Sequence, residues 1–364
     1  MRVCSLAIRG FRNIKKLDLD FKKEFPVIAF TGVNGQGKTN LLEALFLSAI
    51  SKSFRTNENE DLIGFDEDFC SVQAEVEQGS DTLKLDLIVT REPSKKTLKV
   101  NGVVKRAADY IGHLNAVFFS PDDIGMIHLS PSVRRRYMDL LLSQLDREYL
   151  ESSLKYQLAV RQRNALLKQI ADESADADQL EVWDDQLAQL GLSIMEKRSG
   201  VIDRLNAEAA HYYGELSDNS DQLKICYQPS LEKVKTNEDY LAALLKSQKR
   251  DVINGSTQLG PHRDDLTFLC NGHDMAAFAS RGEWRSLVLT LKFAEIDLLK
   301  EKNGFYPILL LDDVFSELDE KRQKYLFNII KNTQTFITTT HKEFLDVIEG
   351  AKQVYEVRDG VVHF

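Results

Sequence analysis

The sequence predicts an α/β fold in two parts, a strand-and-helix head interrupted by a mainly helical insertion. Three observations carry that prediction. Gly32-Val33-Asn34-Gly35-Gln36-Gly37-Lys38-Thr39 fits the pattern G-x-x-x-x-G-K-[ST] and sits between an apolar strand-like run and an apolar helix-like run. Pro307-Ile308-Leu309-Leu310-Leu311-Asp312-Asp313 is a second apolar run, closed by two carboxylates. From Pro131 to about Lys249, strand signals and glycine almost vanish and helical periodicity takes over.

The head begins with two strands of alternating polarity, Val3 to Ile8 and Leu17 to Phe21, joined by a turn. Pro26-Val27-Ile28-Ala29-Phe30 is apolar throughout, as a strand buried on both faces is, and Asn40 to Leu47 is the helix that the loop opens. Ser71 to Val76 and Leu83 to Val89 alternate again. Leu98-Lys99-Val100 then runs into Asn101-Gly102, a strong hairpin signal. Ala116-Val117-Phe118-Phe119 is a further buried strand, stopped by Ser120-Pro121. In the insertion, Leu180, Trp183, Leu187, Leu190 and Ile194 recur at spacings of three and four, and Leu154, Leu158 and Ala165 mark a partner helix. The acid-rich stretch from Ala171 to Asp185 suits the turn between them. An antiparallel helix pair with short extra helices is therefore expected over 126–250. Strand texture returns after Asn254-Gly255, so 1–125 and 251–364 are expected to fold together as the head.

Glycines let the loop backbone wrap a polyphosphate with its N–H groups turned inward, and the helix N-terminus adds partial positive charge. Gly32, Val33, Asn34, Gly35, Gln36, Gly37 and Asn40 are expected to line a nucleotide, ATP. Lys38 would reach its β- and γ-phosphates, and Thr39 would place its hydroxyl on Mg²⁺. Asp312 is expected to hold the same Mg²⁺ and Asp313 to polarise an attacking water. A second strand, Thr335 to Thr340, ends at His341, where a polar side chain can sense the γ-phosphate. Catalytic work is thus expected from Lys38, Asp313 and His341. Ala279-Ser280-Arg281-Gly282-Glu283 opens a helix that runs from Leu287 to Lys300. Ser280 with Glu283 also fits a capping box, a purely structural use of the same residues.

The 364 residues carry a net charge of −9, so nucleic-acid binding needs a local basic surface. Between Pro131 and Ile170 there are eight basic residues against four acids, headed by Arg134, Arg135 and Arg136. These arginines are expected to contact DNA phosphates, the alternative being a solvated helix face. His262 and Arg263 fit either polar contacts near the nucleotide or a structural hydrogen-bond network. The four cysteines are far apart and form no Cys-x-x-Cys pair, which argues for a reducing cytoplasm and against structural zinc. No apolar run is long enough to span a bilayer, and the first ten residues do not read as a signal peptide, so no membrane partner is expected.

Phosphate loop, long insertion, Ser-x-Gly-Glu helix start, apolar strand ending in Asp312-Asp313, Ser316-Glu317-Leu318-Asp319 and His341 follow one another as in ABC-type ATPase heads. Within that group the chain resembles the RecF family of SMC-like ABC ATPases from its first strand to its last. The resemblance rests on Phe11-Arg12-Asn13, Asn34 to Asn40, Ser53-Phe54-Arg55-Thr56, Asn101-Gly102, Phe119-Ser120-Pro121-Asp122-Asp123 and Ser130 to Asp139. Most specific is Gly260-Pro261-His262-Arg263-Asp264-Asp265-Leu266. It implies an SMC-like head with a helical arm, Arg12 at the nucleotide, and Ser280 and Gly282 placed on the γ-phosphate held by a second copy. It also implies a weak, DNA-stimulated ATPase that binds MgATP and forms an ATP-dependent homodimer on double-stranded or gapped DNA. The implied setting is recombinational repair, replication-fork maintenance and the SOS response, beside RecR and RecO, in the cytoplasm at the nucleoid. Two features depart from the pattern. Glu283 and Trp284 stand where glutamine-rich versions are common, and Asp122 or Asp123 stands where a Gln-loop glutamine is usual. Two alternatives stay open, a constitutive DNA-binding scaffold with a vestigial nucleotide site and another ABC-type head.

Overall fold

A computed structural model describes residues 1–217 and 221–363. Its internal contacts divide the chain into unit 1, Met1–Asp123 with the chain from Arg285 onward, and unit 2, Ile124–Trp284.

Unit 1 opens with the hairpin β1 (Arg2–Phe11) and β2 (Ile14–Asp20), followed by β3 (Val27–Thr31), the phosphate loop and helix α1 (Lys38–Ile50). Next come β4 (Phe69–Gln78), β5 (Asp81–Thr90), β6 (Lys95–Val100), β7 (Val103–Lys105), the short helix α2 (Ala107–Tyr110) and β8 (Ala116–Phe119). The Asn101-Gly102 turn joins β6 to β7 as the sequence predicts. An antiparallel sheet in the order β2-β1-β4-β5-β6-β7 follows from the alternating strands.

Unit 2 holds α3 (Gly125–His128), α4 (Pro131–Leu145), α5 (Arg147–Ala171), α6 (Glu181–Leu216), β9 (Leu223–Gln228), α7 (Asn237–Asn254), β10 (Asp265–Cys270), β11 (His273–Asp274) and α8 (Met275–Phe278). Helix α9 (Arg281–Asn303) carries the chain back into unit 1. There it continues through β12 (Ile308–Asp312), α10 (Glu320–Ile330), β13 (Thr335–Thr339), α11 (Glu343–Val347), β14 (Lys352–Arg358) and β15 (Val361–His363).

The all-apolar strands assemble the second sheet of unit 1, in the order β15-β14-β3-β13-β12-β8, parallel except for β15. All five residues of β3 and all four of β8 are buried, which is why they read as continuous apolar runs. Helix α1 packs against both sheets, touching β4 and β5 of one and β8, β12 and β13 of the other. Its buried residues run from Leu41 to Ile50 without a polar face, as expected for a helix between two layers. Register then sets the site: Asp312 lies beside Thr338, and Thr339 beside Thr31, so the C-terminal ends of β12, β13 and β3 meet where the loop begins.

Unit 2 differs from the sequence reading in two ways. Residues 251–284, expected in the head, group with unit 2, because β10 pairs antiparallel with β9 in a three-stranded sheet β11-β10-β9. The helix pair α5/α6 forms, and Leu187 and Ile194 of the α6 stripe are buried. On α5, however, Leu158 is 49% exposed, and the buried side chains are Tyr149, Leu150, Ser153, Tyr156, Ala159, Arg163, Leu166 and Leu167. The physical reason is a buried ion pair. Arg163, fully buried on α5, donates to Asp184 of α6 at 2.6 Å and Asp251 of α7 at 2.7 Å, so three helices close on a charge as well as on the apolar cluster of Leu166, Leu167 and Leu180.

Candidate functional site

Helix α1 starts at Lys38, and its N-cap is Gly37 in the left-handed region (φ 103) with no side-chain cap. Its first-turn N–H groups therefore face the loop without a side-chain acceptor, which is the arrangement of an anion site. A Cβ on Gly37 would lie 2.7 Å from Asn13 Oδ1, so only glycine fits. Lys38 Nζ donates to the carbonyls of Gly32 (2.7 Å) and Val33 (2.8 Å), curling over the loop. Burial holds this ammonium below the usual lysine range, against the pull of Asp313 and Asp312.

Thr39 Oγ1 donates to the Asp312 carboxylate, 2.9 and 3.0 Å from its two oxygens. Thr338 Oγ1 donates to Asp312 Oδ1 at 2.5 Å. The two threonines orient this carboxylate from β13 and from the loop helix, 273 residues away in sequence in the case of Thr39. Asp313 takes a left-handed backbone (φ 51), and its amide donates to Thr338 O at 3.1 Å. Its Oδ1 is buried without a hydrogen-bond partner. Burial raises its pKa, as does the neighbouring Asp312 charge, while Lys38 and His341 oppose the shift. An orphaned carboxylate oxygen beside an uncapped helix start fits a site that awaits a phosphate and its water. The side chain of His341 is 61% exposed, 4.0 Å from Glu343, with its ring edge against Phe344.

Glu43 and the turn between β14 and β15 belong to the site without lying in any of the motifs. Glu43, fully buried on α1, accepts both Arg12 Nη2 (2.8 Å) and Arg12 Nε (3.1 Å), with Ser53 Oγ at 2.5 Å and Arg55 at 3.6 Å. Arg12 thereby braces the loop helix. An acid inside the apolar run Leu41 to Leu47 was the available signal, since a buried charge requires partners. Asn13 accepts from Asn40 at 2.7 Å and donates to Gln36 O at 3.3 Å. Gln36 is also held from the turn between β14 and β15: Gly360 N donates to Gln36 O (2.9 Å) and Asp359 N to Gln36 Oε1 (2.6 Å).

The family model described as RecF/RecN/SMC N terminal domain matches residues 2–363. The DNA replication and repair protein RecF of Lactobacillus acidophilus is 39% identical over 369 residues, covering 98% of this chain and 97% of the relative. That of Streptococcus pneumoniae is 39% identical over 360 residues, with the same coverage. This chain belongs to the RecF family. A solved structure of the recombination mediator protein RecF with ATP, from the RecFOR pathway, matches with a TM-score of 0.90 at 36% identity, covering 99% of this chain and 96% of the other. An SMC head bound to the C-terminal winged-helix domain of ScpA matches with a TM-score of 0.55 at 17% identity over 100% of this chain and 96% of the other, a likeness of fold alone. The fold is that of an ABC-type ATPase head.

Ser280 and Glu283 form the capping box: Ser280 N and Oγ each donate to Glu283 Oε2 at 2.7 Å, and Glu283 N returns to Ser280 Oγ at 3.3 Å. Ser280 thus caps α9, and Gly282 stands in its first turn. Asp123 is engaged within its own segment. Its Oδ2 accepts from Ser120 N at 2.7 Å, closing its own turn, and Lys292 lies 3.5 Å from Oδ1, whereas Asp122 is exposed. Two of the three clustered arginines are engaged within unit 2. Arg134 is bidentate to Asp265 (2.6 and 2.8 Å) and Arg135 donates to Asp264 O (2.7 Å), so both tie α4 to the Gly260–Leu266 segment, and Arg136 is half-buried. His262 belongs to a hydrogen-bond network: Nδ1 accepts from Tyr156 Oη (3.0 Å) and Nε2 donates to Thr257 O (3.0 Å), which also accepts from Arg263 Nε (3.1 Å). Burial lowers its pKa to about 4, so the ring is neutral.

Proposed function

We propose that this chain is an ATP-controlled clamp on DNA that mediates recombinational repair with the other proteins of the RecFOR pathway. One observation carries the reading: the sheet brings Thr39 and Asp312 into direct contact beside an uncapped helix start. Lys38 and the loop amides bind the phosphates of ATP. Thr39 and Asp312 hold Mg²⁺ together with phosphate oxygens, since among the described residues no three His, Cys, Asp or Glu form a cation cage of their own. Asp313, whose Oδ1 has no other partner, accepts from the attacking water. The bound γ-phosphate supplies a charge that two copies can share and that hydrolysis removes. Ser280 and Gly282 of each copy bind that charge on the partner, so the closed dimer exists only while it is present.

With Arg134 and Arg135 engaged internally, the exposed bases of α5, Lys155, Arg161 and Lys168, are assigned the DNA phosphates. No helix among the described residues is long and apolar enough to cross a membrane. Sedimentation with duplex DNA, with and without ATP, tests the whole reading. Wild type is expected to dimerise with ATP and to bind DNA at least ~10-fold more tightly. Lys38→Ala loses both effects and Ser280→Arg loses the dimer. Lys155→Glu/Arg161→Glu keeps the dimer but binds DNA weakly. A wild-type protein that stays monomeric with ATP, or a Lys38→Ala form that binds DNA as wild type does, overturns it.

A further inference from the structure

The segment between α1 and β4 carries Phe65 at the tip of a turn, with its side chain fully exposed. The turn is held from both sides. Glu67 N closes it on Gly64 O at 3.1 Å, Gly64 N donates to Gly10 O of β1, and Arg12 N donates to Leu62 O, the last two at 2.9 Å. Arg91 Nη2 donates to Gly64 O and Glu67 O, each at 3.4 Å. From Asn57 to Asp68 the segment holds six acids and no base. Glu58, Glu60, Asp61, Asp66 and Asp68 are exposed. A phenyl ring fixed in water gives its own chain no burial, and little ordering remains for a partner to impose on it.

The same unit offers a site that fits this anchor. Helices α10 and α11 enclose a cleft of about 320 Å³, lined by Phe327, Ile330, Val347 and Ile348 and by the lysines Lys324 and Lys331. Val347 is 57% exposed, so the apolar lining is open to water. The cleft is preformed. Phe327 stacks on Phe315 with centroids 5.6 Å apart, Lys331 reaches Glu349 at 2.9 Å, and Lys352 Nζ fixes the end of α11 by donating to Leu345 O (2.5 Å) and Ile348 O (2.7 Å).

We propose that Phe65 of one copy docks in the α10–α11 cleft of another, with the acids of its segment facing Lys324 and Lys331. An aromatic anchor meets an apolar pocket, and the charges around them are opposite in sign. Fully exposed, Phe65 does not occupy the cleft of its own chain. The crossovers from β3 to β8 and from β12 through β13 to β14 run in opposite directions along the parallel sheet. Right-handed connections then put α1 and the antiparallel sheet on one face and α10 and α11 on the other. Anchor and cleft thus lie on different sides of unit 1, and the contact runs head to tail. Such a contact does not close as a two-fold one does, so copies add in rows. It uses neither the phosphate loop nor the start of α9, so it forms without ATP.

Sedimentation velocity without nucleotide, over a concentration series at low and high salt, tests this on wild type, Phe65→Ala, Val347→Glu and an equimolar mixture of the two variants. Both positions are exposed, so the fold is kept. Wild type is expected to grow past a dimer between about 1 and 100 µM at low salt and to fall back toward the monomer at high salt. Each variant alone associates at least ~10-fold more weakly. The mixture forms one-to-one pairs and stops there, because Phe65 of the Val347→Glu form still fits the intact cleft of the Phe65→Ala form. A wild type that stays monomeric or stops at a dimer overturns the proposal. So do growth indifferent to salt, variants that associate as wild type does, and a mixture that fails to pair.

Discussion

Glu295 shows how much a single buried acid can set. It is 5% exposed on α9, its Oε2 has no hydrogen-bond partner, and the nearest charges are Lys292 at 4.0 Å and Asp123 beyond it. Burial pushes its carboxyl up to about 7 from 4.5, with Lys292 opposing and Asp123 adding to the shift. Between those two values the folded chain keeps a proton that the unfolded chain releases. This contribution to stability therefore falls as pH rises through the window, and the full penalty stands above about pH 7. Glu295→Gln is expected to match wild type in urea unfolding near pH 4.5 and to exceed it at pH 8, by roughly 1–3 kcal/mol. Equal midpoints at both pH values would show that Glu295 is already solvated or paired.

At the scale of elements, the strands that build the site were legible because burial on both faces leaves apolar runs, and chemistry stands at their ends: Gly32 after β3, Asp312 at the end of β12, His341 after β13. What holds those ends together was not legible. Thr338 reads as one threonine among several until the register sets it beside Asp312. Hydrophobic period misplaced the buried face of α5 because its centre is Arg163, and period does not register a buried ion pair. Nor can a run of arginines declare whether it faces a phosphate or, as with Arg134, an aspartate 131 residues on. The β14–β15 turn is a further such case. Gly360 (φ 75) supports Gln36, and a Cβ there would lie 2.2 Å from the backbone oxygen of Asn13. Gly360→Ala is expected to weaken ATP binding about ten-fold, read by equilibrium titration, because relieving that clash moves Asn13 and Gln36 away from the loop. Unchanged affinity would remove the turn from the site.

At the scale of the whole molecule, each unit is organised around a different kind of interior. Unit 1 is layered on apolar strands, whereas unit 2 sets buried ion pairs within its apolar core. Arg198 of α6, 4% exposed, binds Asp139 (2.8 Å), Asp264 (3.2 Å), Pro261 O (2.6 Å) and Tyr149 Oη (3.1 Å). Removing it leaves Asp264, which is fully buried, without its counter-charge. Arg198→Ala is expected to cost about 3–5 kcal/mol and to lower the melting midpoint by on the order of 10 °C, measured calorimetrically. A shift under ~2 °C would mean that Tyr227 and Ser230, which also bond Asp264, suffice alone. The order of the strands has a consequence for how the chain is made. Strand β3 lies between β13 and β14, and its Thr31 is bonded to Tyr355, 324 residues later. On a ribosome adding roughly 5–20 residues per second, β3 waits about 15–65 s for its neighbours. Throughout that interval an apolar strand and a complete phosphate-loop motif exist with no sheet to shape them. Nucleotide capture is thus a late event of biosynthesis, and a chain interrupted before β14 carries the motif without the grip.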